Sequence, residues 1–428
     1  MAVVGVIAFI LALLFSIGLH EIGHLVPAKK FGVKVTQYMI GFGPTIWSRQ
    51  KGETEVGVKA IPLGGYIRMI GMMPPAAEGH VDKGPFAKVV TEARVQSQEE
   101  IVPGEEDRAF YKLNPARKIV VMLGGPTMNL LLAVVLLVIA LGVIGIPQST
   151  TRLDSVVACV PSASNANGDA NKQGVCVGSS ASPAAAAGLK AGDKIVSIAG
   201  RPVKTWDDVT AAIKAAGAGS VALVVERDGV QKTINADLVT IDRPINVGDP
   251  KVTAPRPFLG VSPANALVRQ PLSQVPVTAW RQVSGTVVAI AALPVKVYDL
   301  GKAAFTSAPR DPNGLVGLVG VGRVSAEVAN AKVPFSWRIS EFLLLIAGLN
   351  LALWLFNLIP LLPLDGGHVA GAAWEGIRAQ LAARRGRPNP GPVDVARLLP
   401  IAYVVGAFLI GMSVLVLYAD IVKPLRLN

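Results

Sequence analysis

The chain has 428 residues, of which 51% are hydrophobic and 16% charged, and 41 Lys and Arg against 29 Asp and Glu give a formal net charge of +12. Length allows two or three domains, but the apolar excess excludes an ordinary water-soluble protein, so part of the chain must lie in lipid. The basic excess comes with no basic helix interleaved with aromatics and no nucleic-acid motif, so no nucleic-acid partner is expected; on a membrane protein it sets topology and meets anionic lipid.

Four stretches, near 2–26, 119–146, 342–363 and 399–420, are long and apolar enough to span a bilayer, which takes about 20 residues. The first starts at Met1 with no basic residue before its apolar core and no small-residue cleavage site after it, and is expected to be a retained helix rather than a signal peptide. Basic residues collect at cytoplasmic ends. Lys29, Lys30 and Lys34 follow span one, Lys112, Arg117 and Lys118 precede span two, and Arg384, Arg385, Arg387 and Arg397 lie between spans three and four. The other side holds Arg152, Lys332, Arg338, Lys423 and Arg426. Both termini and the segment 147–340 are therefore expected outside. The expected partition is helix one (1–28), a cytoplasmic segment (29–116), helix two (117–146), an outer domain (147–240), an outer connector (241–341), helix three (342–368), a cytoplasmic loop (369–398) and helix four (399–421).

After span one, Val33 to Met72 mixes β-branched residues with GFGPTIW and IPLGGYIRMIG, which predicts short strands joined by tight turns at the membrane surface. Residues 73–111, with His80, read as a polar, irregular and flexible loop. The outer segment opens with the small-residue stretch SASNANGDANKQG. From Ser182 to about Val239 it then predicts a short helix (PAAAAGL), a strand (KIVSIAG), a helix (WDDVTAAIKAAG) and a hairpin turning at Asp228-Gly229. Both cysteines, Cys159 and Cys176, fall in this outer segment, where an oxidising compartment permits a disulfide; a pair of free thiols is the alternative. Pro276 to Val297 reads as an amphipathic helix on the membrane.

Ionisable side chains are expensive in hydrocarbon, so each one inside a span is a functional candidate. Span one carries HEIGH: His20 and His24, four residues apart, share a helix face and can offer two imidazole nitrogens to one metal, with Glu21 placed to take a proton from water. A catalytic zinc has three protein ligands and an open position. Asp365, in LIPLLPLDGGH at the end of span three, is the third candidate; a helix-terminal carboxylate in a DGG turn is its bland alternative. Spans one and three run in the same direction and place these groups at a common depth, about 27–35 Å from the outer start at 1.5 Å per residue. Span two opens with GGPTMN, which brings Asn129 to that level. His368 reads as a neighbour of the site rather than a ligand. Asn350, Asn357 and Asn129 can bond between helices, or Asn357 and Asn129 can hold substrate or an oxyanion. Pro360 and Pro363 break span three, and irregular backbone at membrane depth is tolerated where it is buried in protein or lines a water-filled cavity. Two histidines and an aspartate fit zinc best and can accommodate iron or cobalt.

HEIGH, GGPTMN, NLIPLLPLDGGH and the outer GLKAGDKIVSIAG, in this order, resemble the site-2 protease family of intramembrane zinc metalloproteases, within it the bacterial regulator-of-sigma-E protease group, in an actinobacterial form. The resemblance implies Zn2+ held by His20, His24 and Asp365, Glu21 as general base, and substrate handling by Asn357 and Asn129. It implies an α-helical polytopic membrane protein with four transmembrane helices, a membrane-associated β-region that pairs with an extended substrate, and an extracytoplasmic α+β PDZ-like domain. It further implies residence in the bacterial inner membrane, an active site toward the cytoplasmic side, and single-pass substrates, anti-sigma factors above all, cut first outside. One PDZ-like unit is legible where family members carry two. A transporter relay predicts polar residues spread through the bilayer and inverted repeats; here they cluster and no repeat is seen. A non-catalytic scaffold predicts loss of Glu21 or a ligand, and none is lost.

Overall fold

The computed structural model describes residues 2–76, 82, 86–161, 168–171, 175–246, 249–308, 310–311, 314–331 and 333–423. His80, Lys332, Arg426 and most of 162–174 lie outside the described residues. The chain forms two compact units, 1–144 with 270–428, and 145–269.

Helix α1 (Ala2–Lys30) leads into a hairpin of β1 (Val35–Lys51) and β2 (Thr54–Met69). Residues Gln37–Ile40 pair with Gly65–Arg68 on one side and with Glu55–Val58 on the other, while Thr45–Lys51 pairs with Thr54–Lys59, so the two strands bend into a small sheet. Its base shares a core with the helix ends through Ala28, Val33, Val35, Met69, Phe110 and Val121. The segment 73–111, expected to be an irregular loop, contains α2 (Ala87–Glu99). Buried Arg94 fixes that helix by pairing with Asp82 and Asp394. Helix α3 (Pro115–Val138) starts at Asn114, whose side chain accepts the Arg117 N–H, with Pro115 in the first turn where no intrahelical donor is needed.

The second unit begins with β3 (Ile146–Val156), α4 (Pro183–Ala186), β4 (Lys194–Ile198), β5 (Arg201–Pro202) and α5 (Trp206–Ala216). It continues with β6 (Gly219–Arg227), β7 (Val230–Asn246), β8 (Asp249–Phe258) and β9 (Val261–Val268). The expected helices and hairpin fall in their places. Thr205 and Asp208 form a capping box on α5, and the β6–β7 turn puts Asp228 and Gly229 at φ 53° and 78°, as a tight hairpin turn requires. The sheet order is β8-β7-β6-β4-β3-β9, with β5 on β4. The unit thus extends to residue 269, beyond the expected boundary at 240: β9 returns to pair with β3 across more than a hundred residues, a long-range pairing that local pattern does not announce. Ile195, Ile198, Val209, Leu223, Val225 and Leu259 form its core. Cys159 and Cys176 are joined by a disulfide with Cα atoms 5.6 Å apart.

The first unit resumes with α6 (Gln274–Ala291) and α7 (Leu293–Phe305), bent by 69° at their junction. The expected single helix at 276–297 is this bent pair, and it packs on other helices of the unit. Then come α8 (Leu318–Asn330), α9 (Phe335–Asn357), α10 (Asp365–Arg384) and α11 (Leu399–Val422). The third span therefore ends at Asn357 rather than 368, and Asp365 opens a separate helix. Pro360 and Pro363 donate no backbone N–H and disfavour helix in the residues before them, which forces the break. The expected loop at 369–398 is half helix. Among the described residues, four helices are long and apolar enough to cross a membrane: Ala2–Lys30, Pro115–Ile144, Phe335–Asn357 and Val395–Val422; the bent α6–α7 pair is a fifth candidate. Side chains such as Val4, Leu11, Val135, Phe408 and Val414 stay exposed, as helices that are apolar all round require of lipid-facing surfaces. Asn350 donates to Ser16 Oγ at 3.0 Å, tying α9 to α1.

Candidate metal centre

The site is assembled from three helices of the first unit. His20 and His24, one turn apart on α1, bring their Nε2 atoms to 3.2 Å. The first residue of α10 supplies the third group: Asp365 Oδ2 stands 3.3 Å from His20 Nε2 and 3.5 Å from His24 Nε2. Glu21 is buried beside them, at 7% exposure.

Glycines decide how closely the elements meet. Gly23 of α1 and Gly124 of α3 touch backbone to backbone: a Cβ on Gly124 would stand 1.9 Å from the Gly23 carbonyl oxygen, and one on Gly23 2.2 Å from that of Gly124. Residue 27 is proline, so the Gly23 carbonyl has no donor four residues on and its environment is completed by α3 instead. Gly125 leaves room for the imidazoles, since its Cβ would lie 2.2 Å from His24 Nε2 and 2.8 Å from His20 Cε1. Gly65 of β2 does the same for the base: a Cβ there would come within 2.9 Å of Glu21 Cγ. The sheet is held to α1 by Tyr38, whose hydroxyl donates to the Gly18 carbonyl at 2.9 Å. In the DGG turn, Gly366 and Gly367 let the segment 358–362 fold back onto the start of α10, where side chains would meet Ile359 O and Leu362 N. The turn is thus a fitted junction that places Asp365.

Hydrogen bonds orient the rings. His24 Nδ1 is 2.8 Å from the Val121 carbonyl oxygen, which can only accept, so the proton sits on Nδ1 and the Nε2 lone pair is left for a ligand. His20 Nδ1 is 3.2 Å from the Asn129 side-chain amide. Asn129 is therefore engaged with a site histidine. Asn357 is half-buried at the end of α9, and none of the hydrogen bonds that join His20, His24 and Asn129 involves it. His368, one turn into α10 from Asp365, is half-buried.

The donor set fits a metal ion. Bonds of about 2.0–2.1 Å in a tetrahedral site place ligand atoms about 3.3 Å apart, close to the three separations found here. Asp365 Oδ2 is buried and makes no hydrogen bond although two ring nitrogens lie within 3.5 Å, as expected of donors turned toward a common point rather than toward one another. Residues 8–399 match peptidase family M50. The chain belongs to that family. It is 36% identical to zinc metalloprotease Rip1 of Mycobacterium tuberculosis over 100% of this chain and 99% of that protein. It is 26% identical to metalloprotease MmpA of Caulobacter vibrioides over 87% and 88% of the two chains, and 25% identical to regulator of sigma-W protease RasP of Bacillus subtilis over 97% and 98%.

Sequence reasoning missed Gly23, Gly65, Gly124, Gly125 and Val121. A Gly-Gly-Pro run inside an apolar helix was the available signal, because small residues in membrane helices mark close approach.

Proposed function

We propose that this M50 peptidase is a zinc metalloendopeptidase that cuts single-pass membrane proteins at the bilayer, with His20, His24 and Asp365 holding the ion and Glu21 as general base. The observation that carries this reading is the convergence of two imidazole nitrogens and one orphaned carboxylate oxygen from α1 and α10 beside a buried glutamate. Bound zinc supplies Lewis acidity and lowers the pKa of water toward neutrality. Glu21 takes the water proton on its carboxylate and returns it to the leaving amine nitrogen. His24 is held in the correct tautomer by Val121. The buried setting strengthens each of these interactions by excluding bulk solvent.

A helical substrate protects its carbonyls, so it must unwind locally, and the β1–β2 sheet lying against Glu21 is suited to receive an extended strand by main-chain pairing. We assign substrate contact to Asn357, which none of the site's hydrogen bonds occupies. The 145–269 unit is read as PDZ-like and extracytoplasmic: supporting this, a groove of about 570 Å³ runs between α5 and Arg256–Pro263, a shape suited to a peptide end. The name of the Bacillus subtilis relative, regulator of sigma-W protease, supports a task in sigma-factor control, which we read as regulated proteolysis of anti-sigma factors. The Lys and Arg that follow span one, precede span two and lie between spans three and four support an inner-membrane topology with both termini outside and the metal toward the cytoplasm.

The test is metal content and cleavage on purified full-length protein. Wild type should hold one zinc per chain and cut a reconstituted single-pass peptide, while His24→Ala and Asp365→Ala should lose both. Retention of stoichiometric zinc by both variants would overturn the ligand assignment.

A further inference from the structure

His24 and His20 are held by different partners, and the difference is informative. The partner of His24 Nδ1 is a backbone carbonyl, which fixes that ring as an Nδ1–H donor. His20 turns its Nε2 to the same point, 3.2 Å from His24 Nε2 and 3.3 Å from Asp365 Oδ2. For Nε2 to offer a lone pair, the His20 proton must be on Nδ1, and Nδ1–H needs an acceptor. The group within reach is the Asn129 amide, whose Nδ2 lies 3.2 Å away while its Oδ1 is buried without a partner. Nδ2 facing Nδ1–H sets two donors against each other. A half-turn of the amide, which occupies nearly the same space, puts the acceptor oxygen there.

We propose that Asn129 is the positioning residue of His20: its side-chain oxygen accepts from Nδ1–H and holds the ring with Nε2 free to bind the ion. This rests on His20 being a ligand and assigns Asn129 to the ion's environment rather than to the substrate. Several features make Asn129 suited to the task. It is 2% exposed, so water cannot substitute for it. It stands on α3, the same helix that supplies Val121 to His24, so one helix orients both imidazoles. The Gly23–Gly124 contact fixes the spacing over which it reaches. An outer partner of this kind is typically worth about 10–100-fold in metal affinity.

The experiment is zinc affinity of the full chain in detergent, by competition with a chelating dye, for wild type, Asn129→Leu and Asn129→Asp, with thermal unfolding as the check on folding. Leucine keeps the branched four-atom skeleton without an acceptor and should weaken zinc by about 10–100-fold. Aspartate can only accept when ionised and should bind zinc as tightly as wild type or more tightly, and this arm stands even where the leucine variant does not fold. Unchanged zinc affinity in a folded Asn129→Leu, or weakened affinity in Asn129→Asp, would overturn the proposal. Absence of zinc from wild type would instead remove the ligand assignment on which it rests.

Discussion

A methyl group on Gly125 of α3 would stand 2.2 Å from His24 Nε2, the atom that faces Asp365. Gly125→Ala must therefore displace the ring or push α3 away from α1. The expected result is a loss of zinc retention of at least about 10-fold, the scale of a disturbed ligand environment. Gly406→Ala on α11, with open space around it, should leave zinc unchanged. Chelator competition on the two variants checks both.

Lys118 of α3 and Glu375 of α10 form a buried ion pair, with Nζ 2.8 Å from both carboxylate oxygens, and the Val393 N–H donates to the same carboxylate. Removing one partner strands a buried charge, so Glu375→Ala should destabilise the helical unit by about 3–5 kcal/mol. Lys118→Met combined with Glu375→Met should be less damaging than Glu375→Ala alone. Thermal unfolding in detergent decides between them, and equal losses would mean that an uncompensated buried charge is not the source of the destabilisation.

In the 145–269 unit, Asp193 is buried and bound by Arg227 at 2.7 Å through two nitrogens. The Arg227 guanidinium holds the Asp193 carboxyl below its usual range, with the Lys190 N–H assisting. A depressed folded-state value means that the stabilisation is present above the unfolded value, about 3.9, and is lost as pH falls through the folded one. Protease resistance of this unit should drop on acidification below about pH 4. Asp193→Asn should be less stable at neutral pH and flatter across that window.

The disulfide between Cys159 and Cys176 closes a loop with a sequence separation of 17. Cross-links of that span are worth about 3 kcal/mol. Reduction, or Cys176→Ser, should lower the unfolding temperature of the 145–269 unit by several degrees in the full chain while leaving zinc content unchanged. Thermal unfolding of the full chain in detergent with and without reductant, with zinc analysis of the same samples, reads both.

The parts of this molecule legible in its sequence are those written in local pattern. HEIGH lies within one apolar helix, so the i, i+4 geometry of His20 and His24 followed directly, and the Asp228-Gly229 turn announced its hairpin. Features set by distant packing were not legible. The closure of β9 on β3 pairs residues far apart in the chain. The separation of α9 from α10 was hinted at by Pro360 and Pro363, yet the start of a new helix at Asp365 depends on Gly366 and Gly367 admitting the returning backbone. Asn129 was visible as a polar residue at the right depth, but its engagement with His20 depends on the Gly23–Gly124 approach, which no single-helix pattern contains. Helix α2 was missed because its sequence is polar and its anchor, Arg94, finds Asp394 three hundred residues away.

The most direct test of the central claim is co-expression of a single-pass reporter substrate with wild type and with Glu21→Gln, followed by zinc analysis of both purified proteins. The account predicts cleavage by wild type only and one zinc on each, because the substitution removes the proton acceptor and leaves all three ligands in place. Cleavage by Glu21→Gln at the wild-type rate, with zinc still bound, would contradict it.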